Sequence, residues 1–136
     1  MLKTVDRIFG VLLILGACGH TIGTLVLLQP GSGIFIWSLG SSLAATLLGV
    51  LNIVRAGWPD DRTLAAITAV GSACWALLAL GFGLSINNVL DPRPAGHFVI
   101  ALVLTIFGAI TLSRRTTLRQ QAESSRAAAT GVASSV

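Results

Sequence analysis

The fold is decided by residues 8–54, IFGVLLILGACGHTIGTLVLLQPGSGIFIWSLGSSLAATLLGVLNIV, which contain no Asp, Glu, Lys or Arg. A helix needs about 20 apolar residues to cross the roughly 30 Å hydrocarbon layer of a bilayer. These 47 residues are therefore long enough for two spans. The turn-forming segment 29–33 (QPGSG) divides them. We predict transmembrane helices over residues 7–28 and 34–54.

The rest of the chain repeats this pattern. Residues 63–90 and 94–113 also lack formally charged side chains, and we predict two further spans over residues 63–86 and 95–113. Because every backbone amide in lipid must be bonded within the protein, spans of this kind are helices. All three connections are short, so consecutive spans are expected to be antiparallel neighbours. The sequence thus predicts an all-α integral membrane four-helix bundle with up-down-up-down topology.

Composition excludes an ordinary water-soluble domain. Of the 136 residues, 54% are hydrophobic and only 10% are charged, whereas a soluble domain has about 25% charged residues. If the N-terminus is cytoplasmic, only Arg93 among the basic residues lies outside, which follows the positive-inside rule. The basic residues on the cytoplasmic side are then Lys3, Arg7, Arg55, Arg62, Arg114, Arg115, Arg119 and Arg126. This bias predicts an inner (cytoplasmic) membrane protein with both termini cytoplasmic, and it explains the basic pI without a nucleic-acid partner.

The chain divides into a bundle and a tail. We predict that residues 1–113 form the four-span bundle and that residues 114–136 form a basic cytoplasmic tail, disordered beyond its first turns. Residues 15–18 (LGAC) fit the pattern of a lipoprotein cleavage site. The apolar run continues to Leu28, however, and is longer than a typical signal core, so we expect an uncleaved span without a lipid on Cys18.

Small residues mark the faces on which the spans are expected to pack. Helices that already lie in lipid associate where small side chains let their backbones approach closely. Projected at 100° per residue, each predicted span has such a stripe. The predicted packing residues are Gly16, Gly19, Gly23, Ser41, Ala45, Gly49, Ala69, Ala76, Gly83 and Gly108. The bulky apolar side chains then face lipid.

The sequence contains no recognisable catalytic motif. HExxH, CxxC and phosphate-loop patterns are missing, and no acidic residue lies inside a predicted span. Because a membrane-embedded carboxylate is typical of proton-coupled carriers, its absence from the predicted spans counts against that class. We predict no catalytic residue and expect a protein that is not an enzyme.

His20 and His97 are the two candidate ligand-binding residues, because an ionisable group within a span is a functional-site hypothesis by default. Both project onto packing faces in the outer half of the membrane. Counted at 1.5 Å per residue, His20 lies about 12 Å and His97 about 3 Å from the outer ends of their spans. Together they could bind haem, a metal ion or a quinone head group, although a metal site needs three or four ligands. The interpretation we favour is that His20 bonds a neighbouring helix and that His97 lies at the membrane interface.

Three short elements carry a resemblance to a known group of proteins. They are residues 6–10 (DRIFG), residues 19–23 (GHTIG) and residues 51–52 (LN) before a basic loop. With these elements the chain resembles a group of small bacterial four-span inner-membrane proteins without an assigned activity. The resemblance covers residues 1–113. It implies a bacterial inner-membrane location and carries over no activity, cofactor or catalytic residue.

The function predicted from the sequence is a structural or accessory role in a membrane complex. The expected partners are the lipid bilayer and either further copies of the chain or a larger membrane complex. One alternative is a redox or ligand-binding module that uses His20 and His97. Another is a small-solute carrier, for which a polar cavity would have to be lined by Ser41, Ser42, Thr46 and Asn52.

Overall fold

A computed structural model describes the backbone of residues 2–133 and the side chains of residues 3–113. The four helices are α1 (Leu2–Leu27), α2 (Gly33–Gly57), α3 (Arg62–Ser85) and α4 (Pro92–Ala133). The described backbone contains no strand, which confirms the all-α prediction. Each helix is long and apolar enough to cross a membrane, and in α4 the part that qualifies ends at Ser113.

Local sequence explains where the helices begin. The Ser32 hydroxyl accepts a hydrogen bond of 3.3 Å from the backbone N–H three residues later and caps α2. The Asp61 carboxylate caps α3 in the same way at 2.9 Å. Before α2 the chain turns at Gly31, whose φ of 82° is one that L side chains rarely adopt. The start of α4 at Pro92 lies three residues before the predicted one, because proline has no N–H to leave unpaired in the first turn.

The last helix extends beyond the predicted bundle. The backbone of α4 is helical to Ala133, whereas we predicted disorder beyond the first turns of residues 114–136. This segment contains five Ala and four Arg residues, which have high intrinsic helix propensities. Residues 134–136, and all side chains from Arg114 onward, lie outside the described part of the chain.

The helices form two closely packed pairs. α1 packs extensively on α2, and α3 packs extensively on α4, while α1 with α4 and α2 with α3 share smaller contacts. Asp6, near the start of α1, contacts Arg55, near the end of α2. Thr24, near the end of α1, contacts Ser38, near the start of α2. The two contacts lie at opposite ends of the bundle and fix the register of the first helix pair.

Apolar side chains divide between a small core and a large outer surface. The buried core cluster consists of Leu13, Ala17, Ala45, Leu48 and Leu104. Many other large apolar side chains point away from it; Ile22, Val26 and Leu77 are 62%, 74% and 67% exposed. A surface of this kind suits contact with lipid, where apolar side chains are not driven inward.

Candidate functional site

Polar side chains inside the bundle form two groups. We call the end of the bundle at which α1 begins the inner end, and the opposite end the outer end. The inner cluster consists of Asp6, Asn52, Arg55 and Ser72. The outer cluster consists of His20, Thr24, Ser38, Trp75 and His97.

The inner cluster is built around a buried ion pair. Nη2 of Arg55 donates a hydrogen bond of 2.5 Å to Oδ1 of Asp6, and the two residues are only 1% and 6% exposed. Both lie in helices that can cross a membrane. We expected Arg55 at the end of a span and no acidic residue inside a span. Arg55 does lie near the end of α2, but it is buried there, and Asp6 lies inside α1. The reason is that α1 begins at Leu2 and α2 continues to Gly57, so each helix includes its charged residue.

The guanidinium of Arg55 extends towards α4. A Cβ added at Gly108 would lie 3.0 Å from Nη1 of Arg55 and 2.8 Å from Cβ of Ala69. Distances below 3.0 Å would force a neighbour to move, so a side chain at position 108 would disturb the packing of all three residues. Gly108 and Ala69 are both predicted packing residues, and the structure brings them together beside the ion pair.

Asn52 joins α2 to α3. Its Nδ2 donates hydrogen bonds to the carbonyl of Leu48 (2.9 Å) and to Oγ of Ser72 (3.2 Å). Asn52 and Ser72 are both 0% exposed. Within the described chain, Oδ1 of Asn52 and both Nε and Nη1 of Arg55 are buried without a hydrogen-bond partner. Buried polar atoms are nearly always paired in folded proteins, so these three atoms need an explanation.

In the outer cluster, His20 bonds to α2. Its Nε2 lies 3.0 Å from Oγ of Ser38, and Oγ of Ser38 lies 2.7 Å from Oγ1 of Thr24. Thr24 in turn donates to the backbone carbonyl of His20 at 2.9 Å. This is the bond to a neighbouring helix that the sequence analysis favoured over a cofactor for His20. The residue is nevertheless exposed.

His97 lies deeper than its sequence position suggested. Nε1 of Trp75 donates to Nδ1 of His97 at 3.3 Å, and the two rings are T-shaped with centroids 6.0 Å apart. A Cβ at Gly16 would lie 2.9 Å from Cε1 of His97. Gly16 is eleven residues, about 16 Å, from the end of α1 at Leu27. The start of α4 is therefore not level with the end of α1, which explains why counting residues from the start of span four misplaced His97.

The structure places the two histidines close to the same level. His97 packs on Gly16, which is one helical turn from His20 on α1, or about 6 Å along the helix axis. The predicted order of depth is reversed, because His97 is the deeper of the two. Among the described residues there is no group of three or more His, Cys, Asp or Glu side chains that could hold a metal ion.

Several other predicted packing residues lie between helices. Gly49 is buried, and a Cβ added there would be 2.7 Å from Cγ1 of Ile14. Ala45 and Ala76 are buried, at 0% and 5% exposure. A Cβ on Gly83 would lie 3.1 Å from the backbone of the following loop. These residues belong to contacts within the bundle.

Other predicted packing or cavity residues lie on the outer surface of a helix or bond within their own helix. A Cβ at Gly19 or Gly23 would have no heavy atom within 4 Å, so in the described chain these two glycines lie on the outer surface of α1. Ser41, Ser42 and Thr46 each donate their hydroxyl to a carbonyl of their own helix. Such bonds satisfy a hydroxyl inside its own helix and leave it less available to a solute.

At the outer end, Asp91 precedes α4 and holds its first turn. Oδ1 of Asp91 accepts hydrogen bonds from the backbone N–H (3.0 Å) and Nε (2.9 Å) of Arg93, and Oδ2 accepts from Nη2 at 2.7 Å. The side-chain bond from Arg93, followed by the backbone bond, lowers the pKa of the Asp91 carboxyl to about 2. This ion pair is open to water and lies at the junction of the loop and α4.

A shallow groove runs along the outer surface of α3. Its lining is almost entirely apolar and consists of Cys74, Leu77, Leu78, Gly81, Phe82 and Ser85. The groove contains neither histidine and does not reach the ion pair. A surface groove of this composition matches the shape and chemistry of lipid chains or of another transmembrane helix.

Comparison with known proteins does not place the chain in a family. No family model, no curated protein and no solved structure matches it.

Proposed function

We propose that the chain is a small bacterial inner-membrane protein with a structural or accessory role in a membrane complex, without catalytic machinery. Four helices that can cross a membrane support the location in lipid. One observation carries the role: polar groups between helices are bonded to one another. Asp6 pairs with Arg55, Asn52 with Ser72, and Trp75 with His97. These bonds tie α1 to α2, α2 to α3 and α3 to α4, so they stabilise the bundle and do not line an open site.

The proposed topology is up-down-up-down, with both termini in the cytoplasm. It is supported by the contacts at the two ends of α1 and by the short connections between helices. The orientation is supported by the basic residues that follow the positive-inside rule. Arg55 adds little to that bias, because its charge is compensated by Asp6. The exposed basic residues Lys3, Arg7 and Arg62 at the inner end still support this orientation.

Reporter fusions test the orientation. A reporter active only in the cytoplasm, fused after Val136, is expected to be active there, and the same reporter inserted in the loop 28–32 is expected to be silent. The reverse result would overturn the proposed orientation, while activity at both positions would overturn the up-down topology.

The accessory role is tested by isolating the protein together with its surrounding lipid. An amphipathic polymer extracts membrane discs without detergent, and native mass spectrometry then reports what accompanies the chain. The proposal predicts a fixed stoichiometry with further copies or with another membrane protein. A chain that is recovered alone in each disc, at its natural expression level, would contradict an accessory role.

A second candidate function is a ligand-binding module that uses the two histidines. The observation in its favour is the position of exposed His20 one helical turn from the level of His97. In this alternative, the lipid-extracted protein would show a haem absorption band, stoichiometric metal or a bound quinone that is lost in His20→Ala. A colourless, metal-free and quinone-free protein would reject it and leave the structural role in place.

A further inference from the structure

The inner cluster contains three buried polar atoms that have no hydrogen-bond partner within the described chain. Nε and Nη1 of Arg55 are hydrogen-bond donors, and Oδ1 of Asn52 is an acceptor. Asn52 and Arg55 are three residues apart in α2, so their side chains leave the helix on the same face. The residues are 0% and 1% exposed. Two donors and one acceptor thus share one buried region beside the Asp6 carboxylate.

We infer that Arg55 and Asn52 form a buried ligand site, and that its ligand is water entering from the inner end of the bundle. Water accepts hydrogen bonds from the guanidinium and donates one to the amide oxygen. Because Nε–H and Nη1–H leave the guanidinium in different directions, they donate to separate water molecules, and Oδ1 of Asn52 accepts from a water molecule in the same buried region. This site goes beyond the structural role proposed above and does not depend on it.

The charge balance favours water over an anion. Asp6 already supplies one negative charge to Arg55, and a further anion would leave an excess charge in a region of low dielectric constant, where unpaired charges are costly. A simple anion such as chloride also has no proton to donate to Oδ1 of Asn52. Water meets both requirements without adding charge.

The packing limits the size of the ligand and the direction from which it enters. A Cβ added at Gly108 would lie 3.0 Å from Nη1 of Arg55 and 2.8 Å from Cβ of Ala69. Towards the outer end, Leu13, Ala45 and Leu104 are fully buried and close the interior. Arg55 is only two residues, about 3 Å, from the end of α2. A molecule of the size of water therefore reaches the site from the inner end.

The inference is tested by transfer of magnetisation from water to side-chain N–H groups in solid-state NMR. The sample is the full ¹⁵N-labelled chain in lipid bilayers. The Nε–H of Arg55 is expected to receive magnetisation from water rapidly. The Nε1–H of Trp75 is the matched control, because it is also an N–H in the bundle but already donates to His97. Transfer to Arg55 that is no faster than transfer to Trp75 would overturn the inference.

A variant and a change of buffer sharpen the test. Asn52→Leu removes the acceptor and is expected to reduce the transfer to Arg55, whereas Asn88→Leu, in the exposed loop after α3, is expected to leave it unchanged. Equal transfer in Asn52→Leu and the parent chain would contradict the assignment of Asn52. The transfer is also expected to be the same in chloride, phosphate and acetate buffers. Because the buffer comparison uses the parent chain, it decides between water and an anion even if the variant does not fold; a signal that depends on the anion would overturn water as the ligand.

Discussion

The inner and outer ends of this bundle use polar residues in opposite ways. At the inner end, a charged pair is sealed between the helices, with Arg55 only 1% exposed. At the outer end, neutral polar groups are bonded across helices while His20 remains exposed. Glycines of the first helix pair differ in the same way: a Cβ added at Gly49 would clash with α1, whereas a Cβ added at Gly19 would meet no atom within 4 Å. The difference indicates that both ends join helices, but that only the outer end leaves part of its polar cluster exposed for contact with other molecules.

The largest effect is expected from breaking the ion pair on one side only. Arg55→Met leaves the Asp6 carboxylate buried without its partner, and removing one member of a buried pair costs about 3–5 kcal/mol. This loss is measured as the difference in the free energy of unfolding between the variant and the parent chain in mixed micelles. Arg62→Met is the control, because Arg62 is exposed at the start of α3 and surface substitutions usually stay within about 0.5 kcal/mol.

Removing both members of the pair is expected to restore stability. In Asp6→Leu with Arg55→Met no buried charge remains, and such apolar replacements are often neutral or stabilising by about 1–4 kcal/mol. The free energy of unfolding of the double variant should therefore be at least as large as that of the parent chain. If Arg55→Met lowers the free energy of unfolding by no more than Arg62→Met does, the ion pair does not stabilise the inner end.

A smaller effect is expected from adding a methyl group where the first two helices touch. In Gly49→Ala the new Cβ would lie 2.7 Å from Cγ1 of Ile14 and 2.8 Å from the backbone oxygen of Gly10. Because the backbone cannot swing aside as a side chain can, the helices must separate, at a cost of about 1–3 kcal/mol. The unfolding free energy again provides the measurement.

Gly19→Ala is the matched control for Gly49→Ala at the other end of the same helix pair. Its Cβ meets no atom within 4 Å, and alanine has a higher helix propensity than glycine by up to about 1 kcal/mol. Gly19→Ala should therefore be neutral or stabilising in the isolated chain. Equal losses in the two variants would contradict the contrast between a packed inner end and an open outer end.

A still smaller effect is expected from the outer cluster. Trp75→Phe keeps an aromatic ring and removes the N–H that donates to His97. Hydrogen bonds between transmembrane helices contribute about 0.6 kcal/mol on average, so the variant should lose about that much stability. Trp37→Phe is the control, because Trp37 is 81% exposed and is not part of the cluster. A loss as large as that of Arg55→Met would place the main structural constraint at the outer end.

The distribution of charge was sufficient to predict the helices. Runs without Asp, Glu, Lys or Arg indicated the number of spans, and Ser32 and Asp61 cap α2 and α3. The ion pair was not predictable by the same method. Asp6 and Arg55 are 49 residues apart, and each lies at the edge of an uncharged run, where a charged residue ordinarily contacts water. Only the register of α1 against α2 shows that they are level.

The depth of His97 in the bundle could not be predicted from its position in the fourth span. His97 packs on Gly16, one helical turn from His20, and its depth depends on where α4 begins relative to α1. That offset is set by the loop before Pro92 and by packing, and residue counting within one span contains no information on it. Small residues were similarly ambiguous, because Gly16 and Gly19 belong to the same sequence pattern and yet only Gly16 meets another helix.

The smallest effect is expected from acid acting on the exposed end of the bundle. In the folded chain, the bonds from Arg93 lower the pKa of Asp91 to about 2, below the value of about 3.9 for an unperturbed aspartate. The carboxylate therefore stabilises the start of α4 fully above about pH 4, and this contribution is lost as the pH falls from about 4 to 2. The backbone N–H signal of Arg93 in NMR should shift in that range and be constant from pH 5 to pH 8. Asp91→Asn should abolish the shift, while Asp61→Asn, which affects the cap of α3, should leave it in place. A shift of the Arg93 signal near neutral pH would mean that a group other than Asp91 controls this end of α4.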